Sequence, residues 1–158
     1  MLKKIYNKVT HEWDTSVEEA LKSFIRLPAL SPDFDKKWEE NGVLLKALED
    51  AQAWAEKQGI KGLRCEIIKD DGFTACLFVE VDATSDKKFE RSVFFYGHLD
   101  KQPPNEGWDQ DKSAWEPVIQ NGRLYGRGAV DDGYSFYTSL AAVKALQTLG
   151  IPHPRCVG

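Results

Sequence analysis

Phe95-Tyr96-Gly97-His98-Leu99-Asp100 is the stretch on which the reading of this fold turns. It closes a short aromatic run, Ser92-Val93-Phe94-Phe95-Tyr96, which carries no charge and reads as a buried strand. Gly97 ends the run, so His98 and Asp100 sit at the strand's C-terminal end. Side chains two apart on an extended chain point the same way, which puts one imidazole and one carboxylate on one side. Open α/β sheets bind their ligands at that end of their strands. A second stretch, Gly126-Arg127-Gly128-Ala129-Val130-Asp131-Asp132-Gly133, brings two adjacent carboxylates in a Gly-rich turn ahead of a helical pattern. A His and an Asp delivered by separate segments suit a divalent metal, and a further Asp two residues from the His can hold its other ring nitrogen.

Moving upstream, residues 1–15 are polar with scattered aromatics and read as partly ordered. Thr15 or Ser16 can cap a helix over 16–26, in which Val17, Ala20, Leu21, Phe24 and Ile25 recur at helical spacing. Leu27-Pro28 stops it. A second helix is predicted over 36–57, with Leu44, Leu45, Leu48, Ala51, Trp54 and Ala55 as its apolar stripe and Gly59 as its stop. Strands are predicted near 64–68 and 74–81 around the turn signal Asp70-Asp71-Gly72. Centring that turn on Asp70-Asp71 sets Cys65 opposite Cys76 as cross-strand neighbours. Asp82 to Arg91 reads as a charged, solvated loop.

Downstream of Asp100, residues 101–111 form a polar loop with Trp108 and Trp115 anchoring its far end. Asn121-Gly122 signals a hairpin near 116–125. Phe136, Leu140, Val143, Leu146 and Leu149 give a helix over 133–149, stopped by Gly150 and Pro152. Arg155-Cys156-Val157 looks like the start of another strand. The fold class is therefore α/β, with helices packed on a mixed sheet, in one domain spanning 1–158.

Composition narrows the function. The chain has 158 residues and a net charge of −4, with basic and acidic residues interspersed. No basic stripe points to nucleic acid or to an anionic membrane. No apolar run approaches a membrane span, and the basic N-terminus has no apolar segment behind it. Cys65, Cys76 and Cys156 make neither a disulfide framework nor a C-x-x-C motif, so a reduced, cytoplasmic setting is expected. His11 and His153 read as surface residues.

Tyr96-Gly97-His98-Leu99-Asp100, followed by Gly107-Trp108-Asp109, Asn121-Gly122-Arg123-Leu124-Tyr125-Gly126-Arg127-Gly128 and Asp131-Asp132, resembles the co-catalytic zinc metallopeptidases of the carnosinase, carboxypeptidase G and aminoacylase type. The resemblance implies that His98 is a terminal ligand of one ion, that Asp131 bridges two, and that Asp100 orients His98. It implies two zinc ions, or manganese or cobalt, in a complete enzyme, and a cis peptide after the bridging Asp. The family usually continues Asp-Asp-Lys-Gly, whereas this chain reads Asp131-Asp132-Gly133-Tyr134. The family's general-base Glu, its remaining ligands and its smaller lid domain match nothing in residues 1–158. The expectation is thus a partial catalytic domain of a peptidase acting on a small peptide. An N-acyl amino acid deacylase and a non-catalytic binding module that keeps half the fold are the alternatives. Taken alone, residues 1–158 are expected to be inactive, to bind metal weakly or not at all, and to be prone to self-association.

Overall fold

The structure, a computed structural model, describes residues 1–84 and 91–158. Helical backbone runs from α1 (Leu2–Glu12) through a π turn at Trp13–Val17 into α2 (Glu18–Arg26). The expectation of a partly ordered N-terminus is corrected by this continuity. Ile5, Lys8, Val9 and Glu12 occupy the helical stripe that continues into Val17 and Leu21. Glu12 is buried in it, within 2.6 Å of Lys8 and 2.7 Å of Lys144. A polar residue in a core-facing position hides the period from the sequence. Neither expected cap operates: Ser16 Oγ instead accepts the Trp54 indole N–H and donates to Gln58.

The second helix is broken. α3 (Trp38–Asn41) and α4 (Val43–Glu56) are separated by Gly42, whose φ of 66° lies in the left-handed region that glycine tolerates. Small side chains make the helix contacts: Ala47, Ala51 and Ala55 of α4 are buried. Ala47 and Ala51 let Val17 of the π turn and Leu21, Phe24 and Ile25 of α2 pack close, together with Tyr137 and Ala141 of α5 (Tyr134–Thr148). Trp54 meets Tyr137 edge-on at 4.9 Å, the geometry ring quadrupoles favour.

The main sheet has the order β1-β2-β6-β3, from β1 (Leu63–Ile68), β2 (Cys76–Val81), β3 (Val93–Phe94) and β6 (Cys156–Val157). β1, β2 and β6 are antiparallel in turn, and β3 runs parallel to β6 with α5 between them in sequence, so the sheet is mixed as expected. Cys65 pairs with Val79, not Cys76, because seven residues centred on Gly72 join β1 and β2 in place of a tight turn. The run at 92–97 is also not buried: Phe94 is 71% and Tyr96 78% exposed, since β3 stands at the sheet edge among the described residues. Asn121 and Gly122 both take positive φ, as a type I′ turn requires, between β4 (Val118–Gln120) and β5 (Arg123–Tyr125). Within the charged loop, residues 82–84 and 91 are exposed, and 85–90 lie outside the described residues. His153 is buried, contrary to the surface reading; its Nδ1–H donates to the Pro154 carbonyl at 2.7 Å.

Candidate metal centre

Backbone order places the two motifs side by side. β3 carries the chain to Gly97 and His98, and Phe95 still donates to Val157, so the parallel ladder holds the segment one residue beyond the strand. The turn 129–133 leads into α5 with non-helical backbone at Asp131 and Asp132, joined by a cis peptide. The cis geometry expected there is present.

His98 sits between two carboxylates. Its Nε2 lies 3.1 Å from Asp131 Oδ1, and its Nδ1 lies 3.0 Å from Asp100 Oδ1 and 3.1 Å from the Asp100 carbonyl. A proton on Nδ1 therefore has two acceptors, which fixes the tautomer and leaves Nε2 toward Asp131. Burial pushes the imidazole pKa down, but the Asp100 carbonyl and the charges of Asp100, Asp131 and Asp132 outweigh it, and the net shift is upward. A proton and a metal ion would compete for the same Nε2 lone pair.

Asp132, whose role the sequence leaves open, acts on the backbone. Its Oδ2 accepts the His98 N–H at 3.3 Å and the Ser135 hydroxyl at 2.9 Å. The approach is so close that a Cβ at Gly97 would lie 2.2 Å from Ser135 Oγ. Ser135 was missed in the sequence, although three residues is the separation over which side chains meet in the first turn of a helix. A residue at 133 is constrained likewise: a Cβ there would come within 2.3 Å of the Phe24 ring. The family's Lys cannot simply be placed at this position.

Lys101 was also missed. It is 1% exposed, and its ammonium donates to the carbonyls of Phe24, Ile25 and Leu27 at 2.6, 3.2 and 2.6 Å. These carbonyls lie at the C-terminal end of α2, where the helix dipole favours a cation, and that of Phe24 also accepts the Leu27 N–H. Burial pushes its pKa down to about 7. A lysine in a polar loop reads as solvated, and no local signal marks it otherwise.

The strand end opens onto a groove of about 800 Å³ that Gly97, His98, Asp100 and Ser135 share with apolar residues of α4, α5 and the sheet. Asp131 is not on its wall, so the groove is not centred on the His98–Asp131 pair.

Residues 94–158 match the sequence model of Peptidase family M20/M25/M40. Among curated relatives, the putative dipeptidase YtjP of Bacillus subtilis is 38% identical over 55 residues, 35% of this chain and 11% of the relative. The Cys-Gly metallodipeptidase dug1 of Schizosaccharomyces pombe is 36% identical over 67 residues, 41% of this chain and 14% of the relative. The succinyl-diaminopimelate desuccinylase of Nautilia profundicola is 30% identical over 129 residues, 82% of this chain and 29% of the relative. In fold, the dipeptidase Dug1p of Saccharomyces cerevisiae superposes with a TM-score of 0.74 at 19% identity, covering 99% of this chain and 33% of that one. Human carnosine dipeptidase 1 gives 0.72 at 22% identity, again covering 99% and 33%. The resemblance read from the two motifs is thus shown by the sequence matches and the expected α/β fold by the solved structures, and the chain spans a third or less of the length of these relatives.

Proposed function

We propose that residues 1–158 hold the His-and-Asp portion of a metal-dependent amide-hydrolase site, with His98 and Asp131 as ligands and Asp100 orienting His98. The observation that carries this reading is the 3.1 Å approach of Nε2 to Asp131 Oδ1 with Nδ1 backed by Asp100. The donor chemistry fits: one imidazole nitrogen and carboxylate oxygens suit zinc, manganese or cobalt. His98 would hold one ion and Asp131 would bridge two. They are two of the about four donors that one zinc site needs, and among the described residues no group of three candidate ligands is assembled. Bound ions would polarise the scissile carbonyl and lower the pKa of water. The chain's own part is orientation. Asp100 keeps the proton on Nδ1, and Asp132 and Ser135 hold the His98 backbone against the turn.

The substrate class is a small peptide, as the dipeptidase relatives suggest. The desuccinylase matches favour a second reading in the same chemistry, an N-acyl amino acid. No helix among the described residues is long and apolar enough to cross a membrane. A cytoplasmic setting is part of the proposal and rests on the unpaired cysteines.

Manganese titration followed by NMR tests the site without requiring tight binding. Paramagnetic broadening is expected to concentrate on residues 97–100 and 130–133 and to vanish in His98→Ala. Broadening spread over the acidic surface, or unchanged by that substitution, would refute the reading.

A further inference from the structure

Lys101 is a charged group where burial is costly, since an ammonium removed from water loses its hydration before its partners are counted. Its three carbonyl acceptors explain how it is tolerated. They do not explain what else it touches. The Lys101 backbone N–H donates to the Ala29 carbonyl at 2.8 Å, and its own carbonyl accepts the Ser31 N–H at 2.9 Å. The strand end that carries His98 and Asp100 is thereby stitched to the segment after α2. The turn that carries Asp131 rests on the same side chains. A Cβ at Gly128 would lie 2.8 Å from Lys101 Cε, and one at Gly133 would lie 2.3 Å from Phe24 Cε1. The Lys101 ammonium stands 4.0 Å from the Phe24 ring centre, so the two side chains form one support.

We propose that Lys101 is a positioning residue: its aliphatic stem and the Phe24 ring beneath it set the Asp131 turn against the strand end bearing His98. The proposal deepens the metal-site reading and rests on it for its functional meaning, but its geometry can be tested without metal. A lysine that only capped α2 would stabilise the whole domain. A positioning lysine also holds two particular hydrogen bonds, His98 N–H to Asp132 and Gly133 N–H to the Gly128 carbonyl.

Amide hydrogen exchange by NMR on the 158-residue chain separates these roles. In Lys101→Met the His98 and Gly133 amides are expected to exchange at least about tenfold faster relative to the β1–β2 ladder amides, as local opening does. Val143→Ala, a substitution in the core between α5 and the sheet that touches neither Lys101 nor the Asp131 turn's support at Phe24, serves as the comparison at matched unfolding midpoint. It is expected to speed all protected amides together. If Lys101→Met does not fold, Phe24→Leu removes the shared ring and is expected to release the same two amides. Uniform acceleration, or no change at His98 and Gly133, would overturn the proposal. Loss of the manganese signature in the unsubstituted chain would instead overturn the metal reading and leave the exchange pattern intact.

Discussion

At the residue scale, His98 is tuned by the carboxylates on either side of it. Two ring nitrogens facing carboxylates favour the doubly protonated form, so its pKa is raised against the opposing effect of burial. A raised pKa means that the folded chain holds the proton more tightly than the unfolded one. The imidazolium therefore contributes stability that is full below the unfolded value of about 6.5 and is lost as pH rises through the folded value. NMR titration should place the His98 midpoint above the ordinary histidine value of about 6.5, and Asp100→Asn should bring it down. Manganese binding should strengthen over the same rise in pH, because the ion displaces the proton. Gly97→Ala is a second test at this scale. Its Cβ would displace the Ser135 hydroxyl from Asp132, at a cost of about 1–3 kcal/mol, the usual range for overpacking. Chemical denaturation would measure it, and a loss near zero would mean that Ser135 rotates freely. The convergence of His98, Asp100 and Asp131 was legible in the sequence because motif spacing and strand-end position are local properties. Lys101 and Ser135 were not legible, because their partners lie 74 to 77 residues away for Lys101 and, for Ser135, depend on the backbone at Asp132.

At the element scale, the elements are set by period and punctuation, and the departures have specific causes. Helix α5 and the β4–β5 hairpin follow their apolar steps and the Asn-Gly turn. Helix α1 escaped because Glu12 occupies a core position, where only its two lysine partners make it tenable. The break at Gly42 and the long β1–β2 loop escaped because glycine can either continue an element or end it. β3 lies where the sequence places a strand, but its apolar run reads as buried while the sheet leaves its outer face open. Glu12 offers the test at this scale. Burial pushes its pKa up, but hydrogen bonds from Lys144 and Lys8 pull it further down, leaving it lowered. Its contribution is therefore present above the ordinary carboxylate range and is lost as pH falls through the lowered value. Glu12→Gln should reduce stability by about 1.5–3 kcal/mol at neutral pH, the range for hydrogen bonds to charged groups. It should also flatten the acid limb of a urea-midpoint profile against pH. An unchanged midpoint would mean that α1 adds little to the domain.

For the whole molecule, the balance of donors decides activity. With His98 and Asp131 as ligands, as proposed, two ions bridged by one carboxylate would need several further ligands. Nothing among the described residues groups with that pair as a third. Glu80, on β2 of the same sheet, is already held by Arg64 and Arg155, so it is a poor candidate for a free base. Adding metal can supply Lewis acidity but cannot supply a group to take the proton from water. Residues 1–158 assayed alone, with zinc or manganese, should therefore show no turnover of dipeptides or N-acyl amino acids. Calorimetry should find no tight pair of ions per chain. The exposed Phe94, Tyr96 and Val130 near the β3 edge and the Asp131 turn add a second expectation, because such apolar surface promotes association. Light scattering across a concentration series should show oligomers that grow with protein concentration. Association would restore activity only if another chain supplied carboxylates at the His98–Asp131 pair. Turnover that rises with the oligomer fraction and disappears in His98→Ala would establish such a shared site, and would overturn the expectation that this chain cannot act by itself.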